Sequence, residues 1–150
     1  MEREPIDPKY HWSILRIYQF WTLMLHDNPG PHLGQALVWL ARPGKMQRYS
    51  QLTIPELGEL HIILGQYETA LERLWKPDHI NYLMLGNYFH EHGGHSHMHL
   101  VPRYINPRTF AGLTFFDKKY GAMHAPVEKI PYTEAQLLAM RDTIIAAMQT

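Results

Sequence analysis

Apolar positions along this chain follow two rhythms, one repeating every second residue and the other every third or fourth. Short apolar or alternating runs mark strands at Trp21 to His26, at Gly34 to Ala41 and at Ile80 to Leu85. Between the first two, Asp27-Asn28-Pro29-Gly30-Pro31 is dense in turn formers, so the pair reads as a hairpin with a long loop. Leu57, Leu60, Leu64, Tyr67, Leu71 and Leu74 form the stripe of an amphipathic helix that should stop before Pro77. Thr53-Ile54-Pro55-Glu56 in front of it has the T-x-x-E form of a capping box. Thr133-Glu134-Ala135-Gln136 repeats that form before a last helix with Leu137, Met140, Ile144 and Met148 on one face. Tyr10 to Phe20 has only a loose apolar pattern and reads as a helical or irregular lead-in. Tyr104 to Pro131, rich in Pro, Gly and aromatics, reads as an ordered wrap over the surface. Strands, helix, strands, helix makes the fold class α+β, with an antiparallel sheet of about five strands.

One stretch departs from both rhythms by its chemistry. In Gly93-Gly94-His95-Ser96-His97-Met98-His99-Leu100-Val101-Pro102-Arg103, histidine recurs at every second position. On a strand that spacing puts His95, His97 and His99 on one face, roughly 7 Å apart, with Ser96, Met98 and Leu100 on the other. Such a strand is expected to stop at Pro102, which cannot donate to a ladder. It should lie antiparallel to the run ending at Leu85, because Gly86-Asn87 opens only a short connection between the two. Neutral imidazole attacks phosphorus, moves protons or binds metal, and three side by side oppose one another's protonation, so a neutral ring is expected near neutral pH.

Composition narrows the classes of partner. At 150 residues the chain reads as a single domain, 1–150, with a core over about 20–104 and the wrap and last helix over 105–150. Lysine plus arginine equal aspartate plus glutamate at 14 each, which leaves no overall field to attract nucleic acid or an anionic membrane. Cysteine is absent, excluding disulfides, thiolate metal sites and a cysteine nucleophile. The start, Met1 to Pro8, is charged and proline-broken, unlike a signal peptide, and no run approaches the ~20 apolar residues of a membrane helix. A soluble, cytoplasmic protein is the expectation. Histidine numbers 11, and five of these fall between His90 and His99, so the chemistry is concentrated there.

His95-Ser96-His97-Met98-His99-Leu100-Val101 resembles the signature of the histidine triad (HIT) family. The setting agrees: a turn with Asp27 and Asn28 between two early strands, a helix, a strand ending near Asn87, the triad, then Pro102-Arg103. The tail from Asn106 to Gly121 is similar to that of bacterial diadenosine polyphosphate hydrolase-like members. The resemblance implies a nucleotide hydrolase or nucleotidyl transferase that cuts at the α-phosphate of a dinucleoside polyphosphate or nucleoside phosphoramidate through a nucleotidyl-histidine. In it His97 would be the nucleophile, with His95 and His99 holding phosphate oxygens or assisting the leaving group. Asp27 matches the position that binds ribose hydroxyls, His26 and Asn28 flank it, and Asn87 matches an asparagine near the active site. Backbone N–H groups at Gly93 and Gly94 would line the phosphate. The resemblance also implies a homodimer and no required cofactor, and it leaves room for a divalent cation.

Blander readings stand beside these. Asp27, Asn28 and Asn87 are ordinary turn residues, Arg103 suits a carboxylate as well as a phosphate, and Tyr88, Phe89 and Tyr104 suit packing as well as base stacking. Where many family members carry glutamine before a serine or threonine, this chain has Glu91-His92-Gly93-Gly94, so leaving-group contacts do not carry over. Two other functions use the same histidines. One is a metal site in which His90 or His92 joins the strand; the other is a nucleotide-binding module without turnover.

Overall fold

The computed structural model of the chain describes residues 2–44, 48–87, 89, 95–122 and 129–149. It is α+β. Five antiparallel strands, β1 (Ile14–Ile17), β2 (Trp21–Leu25), β3 (Ala36–Leu40), β4 (His79–Leu83) and β5 (His97–Arg103), form one sheet in the order β1-β2-β3-β5-β4. β1 emerges from a 3-10 turn over Pro8–Ser13, within the segment whose loose pattern suggests a helical or irregular lead-in and no strand. Its pairing with β2 shifts register between Ile14 and Arg16, and that irregularity blurs the alternation by which a strand is recognised.

Helix α1 (Ile54–Leu74) starts as the capping box requires. Thr53 Oγ1 accepts from the Glu56 N–H at 3.3 Å, and Glu56 Oε2 accepts from the Thr53 N–H at 2.8 Å. Glu56 is itself buried and also receives Arg42 Nε at 2.7 Å. The helix buries Leu60, Ile63, Tyr67, Ala70 and Leu71, leaving Leu57, Leu64 and Leu74 half-buried, so its inward face is centred on Ile63 rather than Leu64. Against it lie Trp21, Leu23 and Leu25 of β2, Ala36, Val38 and Leu40 of β3, and Met98 and Leu100 of β5. Tyr67 Oη donates to Gly34 O at 2.7 Å. Gly34 has φ +87°, and a Cβ there would sit 2.9 Å from the Trp75 ring, so both backbone and space demand glycine. Helix α2 (Glu134–Met148) packs on α1 and β1 through the buried Met140 and Ile144.

With α1 on one face, alternation sends the odd-numbered residues of β3 and β5 to the other. β5 runs past Pro102 to Arg103, where the pattern suggests a stop. The reason is directional. Even positions along β5 and the residue just before it address β3, as Ser96 O does in accepting from Leu40 N, and odd residues address β4, as Arg103 O does in accepting from Asp78 N. β3 ends opposite Leu100, so at Pro102 the missing N–H would have had no strand to meet.

The wrap after β5 contains a small hairpin, β6 (Arg108–Phe110) and β7 (Leu113–Phe115), turned by Ala111 and Gly112 at φ 50° and 78°. Three-residue strands are too short for alternation to register, and alanine is an unusual residue for the left-handed region. Arg103 ties this wrap to the sheet. Its Nε donates to Asp117 Oδ2 at 2.6 Å and its Nη2 to Oδ1 at 3.0 Å, with Lys119 O and Ala122 O taking further N–H groups. Both side chains are buried, at 4% and 2% exposure, and His32 Nδ1 stands 3.7 Å from Asp117 Oδ2. Arg103 therefore pairs with a carboxylate, and a buried one.

Burial pushes the Asp117 carboxyl up, but the Arg103 hydrogen bonds, the nearby His32 and the Arg103 charge outweigh it and leave its pKa below the usual value. A group lowered on folding stabilises fully above its ordinary range and loses that contribution as the pH falls through its folded value. Asp117→Ala is expected to cost about 3–5 kcal/mol in urea unfolding at neutral pH, because it strands a buried guanidinium. Asp117→Asn should also flatten the acid limb of the stability profile. A loss below about 1 kcal/mol would show the pair to behave as a solvated one.

Candidate active site

The face of the sheet turned away from α1 carries the histidines. β5 pairs with β3 so that His97 lies opposite Trp39 and His99 opposite Leu37. Met24 of β2 faces Leu37 in turn, and His26 comes directly after β2. The His97 and His99 rings meet edge to face with centroids 5.0 Å apart, and the His26 ring is 5.8 Å from that of His99. His97 Nδ1 is 3.1 Å from His95 O. A carbonyl has no proton to give, so Nδ1 carries the hydrogen, and in the neutral ring the lone pair is at Nε2. The main chain two residues upstream thus selects the tautomer.

His95 does not complete an even row. It precedes the first residue of β5, is buried to 2% exposure, and turns Nε2 to within 2.6 Å of Leu40 O, with Nδ1 3.3 Å from Gly44 O. Regular pairing of β3 with β5 ends at Trp39 and His97, so the Leu40 carbonyl beyond it takes a side-chain donor. Ser96 is fully buried on the opposite side, and its hydroxyl has no protein partner among the described residues.

At the hairpin loop, Asp27 is exposed and its Oδ1 accepts from the Asn28 N–H at 3.0 Å while lying 3.1 Å from His26 Nδ1. The Asn28 side chain is engaged elsewhere. Its Nδ2 donates to Ile130 O at 2.8 Å and its Oδ1 accepts from Gly30 N and Ile130 N, which fastens the C-terminal segment to the loop. Asn87 lies exposed after β4, outside the described lining of the cavity. Gly94, Gly93, Glu91, His92, His90 and Tyr88 lie outside the described residues. Tyr104 is packing, buried with its Oη on Leu33 O at 2.6 Å. Phe89 is buried with its ring centroid 5.3 Å from that of His97.

A cavity of about 350 Å³ has His97, His99, Trp39, Leu37, Met24 and His26 as its floor. Asp27 stands at its side. Among the described residues, the remaining wall is the N-terminal arm, through Pro5, Ile6 and Tyr10, with Glu4, Asp7 and Lys9 adding charge. The arm is held by Arg3, which donates to Tyr18 O, Gln19 O, Trp21 O and Thr22 Oγ1 at 2.9–3.4 Å, and by Glu4 N on Ala41 O at 2.7 Å. Arg3, Tyr10 and Trp39 belong to the site and escape motif reasoning. Trp39 carries a faint signal, since its odd position on an apolar strand puts it on the histidine face. Arg3 carries none, because its partners, three backbone oxygens and the Thr22 hydroxyl, lie 15 to 19 residues away.

Among the described residues, no group of three or more His, Asp or Glu is arranged to hold a metal ion. No described helix is long and apolar enough to cross a membrane.

No family model matches the sequence, and no curated protein does. Solved structures do resemble it. A histidine triad protein from Marinobacter aquaeolei VT8 superposes with a TM-score of 0.69 at 15% identity, covering 98% of this chain and 97% of that one. A histidine triad protein from Bradyrhizobium japonicum also gives 0.69, at 11% identity over 97% and 98%. The diadenosine triphosphate hydrolase of Plasmodium falciparum, solved in complex with Cyclomarin A, gives 0.61 at 16% identity over 96% of this chain and 79% of that one. At such identities the likeness speaks for the fold: the chain is built as histidine triad proteins are.

Two outcomes are expected for the supports of the site. Arg3→Ala removes charged donors worth about 1.5–3 kcal/mol, so amide exchange at Glu4 should accelerate roughly tenfold or more while β3 amides keep their protection. Unchanged exchange there would mean that the arm is held by other contacts. Ser96→Ala removes a buried hydroxyl without a partner among the described residues, and the variant should match or exceed the parent in stability by up to about 1 kcal/mol. A clear loss would point to an ordered water on that hydroxyl.

Proposed function

We propose that the protein is a nucleotide hydrolase or nucleotidyl transferase of the histidine triad kind. It would cleave at the α-phosphate of a dinucleoside polyphosphate or a nucleoside phosphoramidate by way of nucleotidyl-His97. The observation that carries this reading is the His97 ring, fixed through Nδ1 on His95 O and set beside His99 in a cavity of nucleoside size. The Nε2 lone pair attacks phosphorus and the leaving group departs with the electron pair of its former bond. Water then takes the nucleotidyl group and returns Nε2. His99 serves the phosphate oxygens or the leaving group, while His95 holds the strand end and, through its carbonyl, the tautomer of His97.

The apolar lining of Met24, Leu37 and Trp39, with Tyr10 across from it, suits a base, and the Asp27 carboxylate suits a pair of ribose hydroxyls. Gly94 and Asn87 remain candidates for the phosphate and the leaving group. Imidazole attack needs no cofactor, and a divalent cation would act on the departing polyphosphate. A cytoplasmic homodimer, its sheet continued across two chains, belongs to the same reading; light scattering at the monomer mass would remove that part.

The test is AMP release from diadenosine polyphosphates, adenosine phosphoramidate and an adenylylated lysine. The parent should release AMP from at least one of these, and His97→Ala should lose about a thousandfold or more, as removal of a covalent nucleophile does. Turnover retained in His97→Ala would defeat the assignment. Tight AMP binding with no turnover of any member would favour the binding-module reading.

A further inference from the structure

Trp39 lies against the two histidines nearest the start of β5. Its ring centroid is 4.5 Å from that of His95 and 5.9 Å from that of His97, with the His97 plane inclined only 28° to the indole. The Phe89 ring also lies against His97, 5.3 Å away at 45°. The nucleophilic ring is thus flanked by two aromatic side chains, and it is buried to 2% exposure. Aromatic faces are electron-rich and attract a cation within about 6 Å, tryptophan most strongly. Burial otherwise disfavours the charged form of an imidazole.

The proposed reaction makes that form. When Nε2 bonds to phosphorus and the phosphorus–leaving-group bond breaks, Nδ1 keeps its hydrogen on His95 O, so the ring becomes an N-nucleotidyl imidazolium. When water attacks, the phosphorus–Nε2 pair returns to the ring, the water proton passes to solvent or product, and the charge disappears. We infer that Trp39, with Phe89, is a positioning residue that stabilises the cationic state of His97 and thereby the covalent intermediate. The consequence for catalysis rests on the function proposed above; the stabilisation itself does not, because a proton on Nε2 creates the same ring charge.

The proton is therefore the probe. Among the described residues, the other titratable groups that border this cavity are His99 on the same strand, His26 and Asp27 from β2 and its turn, and Glu4, Asp7, Lys9 and Tyr10 of the arm. His95 touches Trp39 directly. Those groups are common to parent and variant, so a change at Trp39 isolates the indole. Histidine-labelled protein would be titrated by NMR as the parent, Trp39→Phe and Trp39→Leu. In Trp39→Leu the protonation constant of His97 should fall about two- to tenfold, while Trp39→Phe keeps most of it. The amide dispersion of α1 and α2 should be retained and report an intact fold.

Should leucine disturb folding, tryptophans carrying one to four fluorines at position 39 keep the shape and weaken the electron-rich face step by step. A protonation constant that falls with each fluorine supports the assignment. A flat fluorine series, or identical His97 titration in the parent and a folded Trp39→Leu, overturns it. Neither depends on whether any nucleotide is cleaved, so an inert substrate panel would leave this inference standing and a flat series would leave the nucleotidyl reading standing.

Discussion

Pairing of β5 on both edges is the constraint on which the site depends. Held by β3 on one side and β4 on the other, with unbroken register to each, the strand has no freedom to slip, and a slip of one residue would carry every histidine into the helix-covered core. That register puts Trp39 opposite His97 and Leu37 opposite His99, and gives the site an apolar floor. The same backbone sets the chemistry of the nucleophile, since the His95 carbonyl decides which nitrogen of His97 holds the hydrogen. A side chain in that role would have its own rotamers; a strand carbonyl has almost none.

Around this sheet, segments without regular structure are held by charged groups on backbone oxygens and by buried polar contacts. Arg3 fastens the arm that walls the cavity, Arg103 and Asp117 fasten the C-terminal wrap, Arg108 takes the carbonyls of Trp75 and Lys76 at the end of α1, and Asn28 grips Ile130. Guanidinium suits the task because its planar fork offers five donors at fixed angles, enough for several carbonyls at once. A small domain can in this way give a binding cavity walls that its apolar core alone would not hold.

The helix starts, the turn at Asp27 and Asn28, the hairpin of β2 and β3, and the histidine strand were all legible, because each depends on neighbours within about four residues or on a period-two repeat. Legibility failed where geometry was irregular or long-range. β1 hides behind a shift in register, β6 and β7 are too brief to show a period, and Pro102 sits inside a strand because its partner on that side has already ended. The roles of Asn28 and Arg103 depended on Ile130 and Asp117, residues that local reasoning has no means of pairing with them.

Local chemistry, then, determined by itself which residues could react: alternation on a strand gathers imidazoles on one face whatever surrounds them. What the imidazoles face was decided only by the tertiary structure. The indole beside His95 and His97, the arm across the cavity and the carbonyl that takes His95 out of the row come from segments far apart in sequence, brought together by strand order and by the burial of the opposite face against α1. Side-chain period is a property of one strand, whereas proximity across a sheet depends on all of them, and nothing in the local pattern of residues records it.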